Sequence, residues 1–152
     1  MARAKIELPE KYIFSTDIEI RISDINYGGH LGNDSLLTIL QEARLQFLRH
    51  YGFSEKNVAG CGIIMADAVI IYKSQAYYGE VLKIELNLAD FSKHACDIIY
   101  LISKKSDGKE VARAKTRIAF FDYQQNKTVY IPPPFLAILG DSEYLITAIQ
   151  KN

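Results

Sequence analysis

The chain has 152 residues, with 18 basic and 18 acidic side chains and no formal net charge at neutral pH. That length suits one domain with a core large enough to stand without staples, and the charge balance excludes the broad basic surface that nucleic acids require. Cys61 and Cys96 are too few for a disulfide framework and lack metal-ligand spacing, and no apolar run approaches the roughly 18 residues of a membrane span.

The amino-terminal MARAKIELPEKY carries positive charge but no apolar stretch behind it. The expectation is a reducing, cytoplasmic setting in which both thiols are free and buried. From Tyr12 to Ile22 the sequence alternates: Ile18, Ile20 and Ile22 share one face, and Asp17, Glu19 and Arg21 the other. That alternation predicts a half-buried strand. The stretch RISDINYGGHLGN follows, a loop that gathers Asp24, Asn26 and His30 around two adjacent glycines. Asn33, Asp34 and Ser35 are each good helix starters. Beyond them Leu36, Leu40, Ala43 and Phe47 recur at helical spacing. Leu37, Leu45 and Leu48 widen the stripe, so the helix is expected to be enclosed on most sides. Gly52 is placed to end it.

After Gly62, IIMADAVIIYKS reads as a second strand, with a turn near QAYYGE. VLKIELNLADF alternates with Leu82, Ile84, Leu86 and Leu88 on one face, and ACDIIYLISKK is a fourth strand. Ser106-Asp107-Gly108-Lys109 signals a hairpin. EVARAKTRIAFFDY is the fifth strand: Arg113, Lys115 and Arg117 point one way, and Ala112, Ala114, Thr116, Ile118 and Phe120 the other. Pro132, Pro133 and Pro134 are expected to end it, and a short C-terminal helix is expected over Ser142–Gln150. The order strand, long helix, four strands predicts an α+β domain. A five-stranded, mainly antiparallel sheet would lie against one long helix. A single small sheet leaves long edges, and a homodimer with a continuous sheet would cover one.

Four pieces of the chain carry a family resemblance: RISDINYGGHLGN before the helix, LQEAR within it, AYYGEVLKI after the second strand and ARAKTRIAFFD near the end. With the element order, they make the chain resemble the hotdog-fold acyl thioesterases, in the 4-hydroxybenzoyl-CoA and acyl-ACP thioesterase-like group. The resemblance spans about Phe14 to Pro134. It implies a sheet wrapped around a central helix and homodimers or dimers of dimers (homotetramers). It also implies acyl-CoA or acyl-ACP substrates, no cofactor, and active sites at the subunit interface near the loop before the helix.

The family pattern before the helix runs roughly Asp-x-Asp-x-x-x-His, and its second Asp is the usual base or nucleophile. Counted back from Glu42 in LQEAR, that position holds Asn26. An amide cannot take a proton from water as a carboxylate does, although it still donates and accepts hydrogen bonds. The plant acyl-ACP members carry an Asn two residues further on, where this chain has Gly28. His30 coincides with the family His. Asn26 either orients the thioester carbonyl or a water, or caps its own turn. His30 is either an acid/base or carbonyl donor, with a charge change near neutrality, or a locally bonded loop residue. Asp24 is a replacement base or the holder of the loop backbone. The amides of Gly28, Gly29 and Leu31 are candidate oxyanion donors, against the plainer reading of a turn before a helix. Glu42 is a second candidate base, since some hotdog enzymes carry their carboxylate on this helix; otherwise it bonds the loop or Arg44. Asp67, in the middle of an apolar strand, must be paired, functional or turned outward. Tyr77 and Tyr78 line an acyl channel or pack the turn. The Arg113, Lys115, Arg117 stripe meets CoA phosphates or is a solvated strand face.

Three functions are compatible with these residues. The first is hydrolysis of an acyl-CoA or acyl-ACP thioester with no metal. The second is an enoyl-CoA hydratase or dehydratase: such relatives carry Asp-x-Asn-x-x-His, but here the run is one residue longer, a displacement of up to ~3.5 Å along extended chain. The third is a non-catalytic acyl-CoA binding module, suggested by the missing acid at position 26.

Overall fold

The computed structural model describes residues 3–140. The helix expected over Ser142–Gln150 lies outside the described residues. Strand β1 (Phe14–Glu19) leads through a 3-10 turn (Ile22–Asp24) and the glycine loop into helix α1 (Asn33–His50). Strands β2 (Gly62–Tyr72), β3 (Val81–Ala89), β4 (Ala95–Lys104) and β5 (Glu110–Asp122) follow. A two-residue β6 (Lys127–Thr128) and a single helical turn α2 (Pro133–Leu136) close the described chain. The sheet is antiparallel in the order β1-β3-β4-β5-β2, with β6 added to β5.

The period-two pattern of the sequence becomes the two faces of this sheet. Leu82, Ile84 and Leu86 on β3, Ile98 and Tyr100 on β4, and Ala112, Ala114, Ile118 and Phe120 on β5 are buried against α1. From α1 come Leu36, Ile39, Leu40, Ala43, Phe47 and Leu48. The outer face is partly crossed by the N-terminal segment: Arg113 donates to the Ile6 carbonyl at 3.3 Å, and Asn87 donates to that of Lys11 at 2.7 Å. That cover explains why Asp97 and Ile99, on the outward side of β4, are buried.

Four details depart from the sequence expectations. Strand β1 ends at Glu19 because the chain turns there; Ile20 is buried, but Ile22 is thrown outward and 71% exposed. Helix α1 is not enclosed on most sides: Leu37 is 45% exposed, and Thr38, Gln41 and Glu42 share that open face. Its N-cap is Gly32 rather than a polar side chain. Pro133 and Pro134 do not end β5, which has already turned at Asp122; they start α2 instead, where a missing N–H costs nothing.

Two buried polar groups lie where α1 meets the sheet, one on each. Arg44 is 5% exposed and pairs with Glu55 at 3.5 Å, so it is not the partner of Glu42. Tyr100 exchanges a 2.8 Å hydrogen bond with Thr116. Burial, above all, raises the Tyr100 phenol above its ordinary value. Cys96 is fully buried and Cys61 half-buried; both are free, and desolvation raises both thiols.

Candidate active site

The glycine loop is held by its own backbone and by the turn after β2. The Asn26 N–H donates to the His30 carbonyl at 2.9 Å, and the Gly32 N–H to the Asp24 carbonyl at 2.9 Å. The Leu31 N–H donates to the Ala76 carbonyl at 2.8 Å, and the Gly79 N–H to Ile20 at 3.0 Å. The AYYGE turn and the loop are therefore one assembly, which no single-segment reading of the sequence indicates. Gly29 has φ +83°, the left-handed region where a side chain is strained.

Within this frame the candidate residues separate. The Asn26 side chain caps the loop: its Oδ1 accepts the Gly28 N–H at 2.9 Å, and its backbone carbonyl accepts the Gly29 N–H at 3.0 Å. The amides of Gly28, Gly29 and Leu31, read as oxyanion donors, are thus all engaged within the protein. Asp24 is buried, 4% exposed. Its Oδ2 accepts the Arg21 N–H at 2.8 Å, and its Oδ1 lies 3.5 Å from the Arg21 guanidinium. Glu42 has no hydrogen bond or ion pair among the described residues, and it is exposed.

Asp24 and Glu42 nevertheless meet the same space. Both line a cleft of about 410 Å³ between β1, the 3-10 turn and α1, walled by Ile18, Ile39 and Leu45 and edged by Thr38 and Gln41. His30 does not face it. The His30 ring lies beside Leu31 and Asn33 in a second cleft of about 370 Å³, with Tyr72, Ser74 and Gln75 opposite. Its Nδ1 is 3.2 Å from the Leu31 carbonyl, which it satisfies as a donor, leaving Nε2 to act. Asn33 and Glu42 are nine residues apart, about two and a half helical turns, so they project from opposite sides of α1. One chain therefore carries its carboxylates on one side of the helix and its histidine on the other.

The remaining candidates lie elsewhere. Tyr77 is 46% exposed. Its hydroxyl donates to Gln75 at 2.9 Å, and the Lys104 ammonium sits 5.3 Å over its ring. Tyr78 is 65% exposed. Asp67 faces outward and lies 3.8 Å from Lys115. Arg113 bonds Glu110 at 2.6 Å, and Arg117 bonds Asp97 at 2.9 Å. The basic stripe is therefore matched by acids on an outer sheet face that the N-terminal segment partly covers. Among the described residues, no three of His, Cys, Asp and Glu come together as metal ligands would. No described helix is long and apolar enough to cross a membrane. Sequence reasoning passed over Thr38 and Gln41 and read Leu45 only as part of the apolar stripe, although all three share a helix face with Glu42. The polar interruptions in an apolar helix were the signal.

The profile of the thioesterase-like superfamily matches residues 20–139. A protein of Aquifex aeolicus whose name gives esterase as an expected activity is 28% identical over 115 residues, covering 74% of this chain and 87% of the relative. The structure of the 1,4-dihydroxy-2-naphthoyl-CoA thioesterase Slr0204 from Synechocystis superposes with a TM-score of 0.77 at 21% identity, covering 86% of this chain and 97% of that one. The DHNA-CoA thioesterase of Staphylococcus aureus superposes with a TM-score of 0.75 at 20% identity, covering 88% and 92%. The likeness to these two structures establishes the hotdog fold.

Proposed function

This chain belongs to the thioesterase-like superfamily and is a thioester hydrolase by family, and from that premise we propose that it hydrolyses an acyl-CoA or acyl-ACP thioester at a site built by two copies of the chain. Glu42 is the general base that takes a proton from the attacking water. Three carboxylates line the cleft: Asp24 is tied to Arg21, Glu19 sits at the exposed end of β1, and Glu42 is the unpaired one carried by α1. His30 already donates through Nδ1 to Leu31, so it is as the imidazolium, with both ring nitrogens protonated, that it donates through Nε2 to the thioester carbonyl as charge develops on its oxygen. The first amides of α1 add the field of a helix N-terminus beside it. Asn26 holds the loop rather than the water. The thiolate leaves readily, so one base and one donor suffice.

The observation that carries the two-copy reading is the separation of His30 from both carboxylates across α1. Strand β2 supports it: it is an edge strand, eleven residues long, and its outward edge has no strand partner among the described residues. A second copy added there covers the edge. It can also bring the His30 cleft of one chain toward the Glu42 cleft of the other.

Turnover of acetyl-, butyryl- and longer acyl-CoA tests the reaction, and mixing tests the architecture. Glu42→Gln and His30→Ala should each be nearly inactive. In a hybrid dimer of the two, one composite site keeps an intact Glu42 and an intact His30. Random reassembly should therefore restore roughly a quarter of wild-type activity. No recovery on mixing, with hybrids confirmed by mass, would place both residues of each site in one chain. No thioester hydrolysis by the wild type across carriers and chain lengths would remove the enzymatic reading and leave a binding module.

A further inference from the structure

Past one end of the Glu42 cleft, β1 and α1 close on each other. On β1, Phe14, Thr16 and Ile18 alternate inward toward α1. Ile18 walls the cleft beside Ile39 and Leu45. One inward residue further along the strand, just past the residues that line the cleft, the Thr16 hydroxyl donates to Gln46 Oε1 and joins strand to helix. Beyond it Phe14 packs on Phe47 with ring centroids 5.8 Å apart and on His50 at 5.5 Å, so the groove goes no deeper. Gln46 follows Glu42 by four residues, about 6 Å along the helix axis. The space between the carboxylate and that bridge is therefore short; Ile18, Ile39 and Leu45 give it its apolar wall, and Glu19, Arg21, Asp24, Thr38 and Gln41 line the rest.

We infer that this groove takes the acyl group of the substrate and that the Thr16–Gln46 bridge sets how long that group can be. Short acyl groups fit between Glu42 and the bridge; long unbranched chains do not. The inference rests on the reading of the Glu42 cleft as the substrate site. It adds two specificity-determining residues that do not touch the reacting atoms. A bond that merely fastened β1 to α1 would, when removed, weaken the fold and lower affinity for every chain length alike. A floor, when removed, changes the preference among lengths.

The test uses S-alkyl-CoA thioethers with ethyl, butyl, octyl and dodecyl chains, which present the chain but cannot be hydrolysed. They are titrated calorimetrically into the wild type, Gln46→Ala and Leu45→Phe, each checked by thermal melting. The wild type should prefer butyl to octyl. Gln46→Ala should gain at least roughly tenfold for octyl, as two or more further methylenes become buried. Leu45→Phe, which fills the groove from the side, should lose butyl and keep ethyl. If Gln46→Ala fails to fold, Thr16→Ala removes the same bridge from the strand. The inference is overturned by wild-type affinity that climbs steadily to dodecyl, by an unchanged length preference in the bridge variants, or by no chain-dependent binding at all. Because the probes are not hydrolysed, their result is independent of the turnover assay. A shifted preference without turnover would sink the hydrolytic reading alone.

Discussion

Glu42→Gln separates a base from a scaffold because the side chain has so little else to do. The substitution keeps the shape and hydrogen-bonding reach of Glu and removes only its capacity to hold a proton. Glu42 is exposed and unpaired in the described structure, so the cost to stability should stay within about 0.5 kcal/mol. A general base contributes about 10²–10⁴ in rate, which is roughly 3–5 kcal/mol of barrier. The expected result is a fall in kcat of that size with KM and melting temperature nearly unchanged. Asp24→Asn should behave differently. Asp24 is 4% exposed, and its Oδ2 accepts the Arg21 N–H at 2.8 Å. Losing that charge-assisted bond should cost about 1–2 kcal/mol. The contact to the Arg21 guanidinium adds little, because that side chain is 69% exposed. Activity of Asp24→Asn should therefore decline together with the melting temperature. Initial rates of thiol release from butyryl-CoA, paired with thermal melts, measure both variants. A Glu42→Gln enzyme within about twofold of wild-type kcat refutes the assignment. Intact stability with kcat lost only in Asp24→Asn would move the base to Asp24.

Asn26→Asp should leave both stability and rate within a few-fold, since a carboxylate accepts the Gly28 N–H equally well and the proposed base, Glu42, is untouched; a large gain in kcat would mean that the loop had lost its acid. Tyr100→Phe should cost about 1–3 kcal/mol by stranding the Thr116 hydroxyl, read as a shift of the denaturant midpoint. Because the folded-state phenol lies above its ordinary value of 10.0, the stability it confers is fully present below that pH and is lost as pH rises through the folded value. The alkaline loss of stability should be shallower in Tyr100→Phe, and equal slopes would contradict the burial argument. Neither Cys61 nor Cys96 should react with an aromatic disulfide at neutral pH at the rate of a free thiol, since desolvation raises both; fast labelling of the native protein, followed by mass spectrometry, would disprove it.

The sheet was legible because its physics is local. Alternation along β3 and β5 dictates which side chains face inward, and the buried set there matches the pattern residue by residue. The termination of α1 was equally readable, with Gly52 at φ +82° following the C-cap Tyr51. The failures have a common cause. Extending β1 to Ile22, and giving β5 an end at the prolines, both assume that a pattern persists until a breaker appears. The chain instead turned where long-range bonds took over. Ile20 is fixed by the Glu80 carbonyl at 2.9 Å and β5 gives way to β6 through the Asp122 turn, whose Oδ1 accepts the Gln124 N–H at 2.9 Å.

The candidate site shows the same boundary more sharply. The motif placed Asp24, Asn26 and His30 within seven positions, and proximity in sequence suggested one catalytic cluster. The fold disperses them: Asn26 turns inward on its own loop, Asp24 descends beside β1, and His30 passes over to the far side of α1. Glu42, distant in sequence, arrives beside Asp24. The open face of α1 has the same origin. Leu37 and Leu45 extend the apolar stripe, which argues for enclosure, yet one chain supplies only one sheet, and that sheet covers the opposite side. Leu37, which one chain leaves 45% exposed, is a residue that the proposed second copy would cover. On the two-copy reading proposed above, the residues that make the helix look over-hydrophobic for a single domain find their cover in the second chain, which is why no pattern within one chain could assign them.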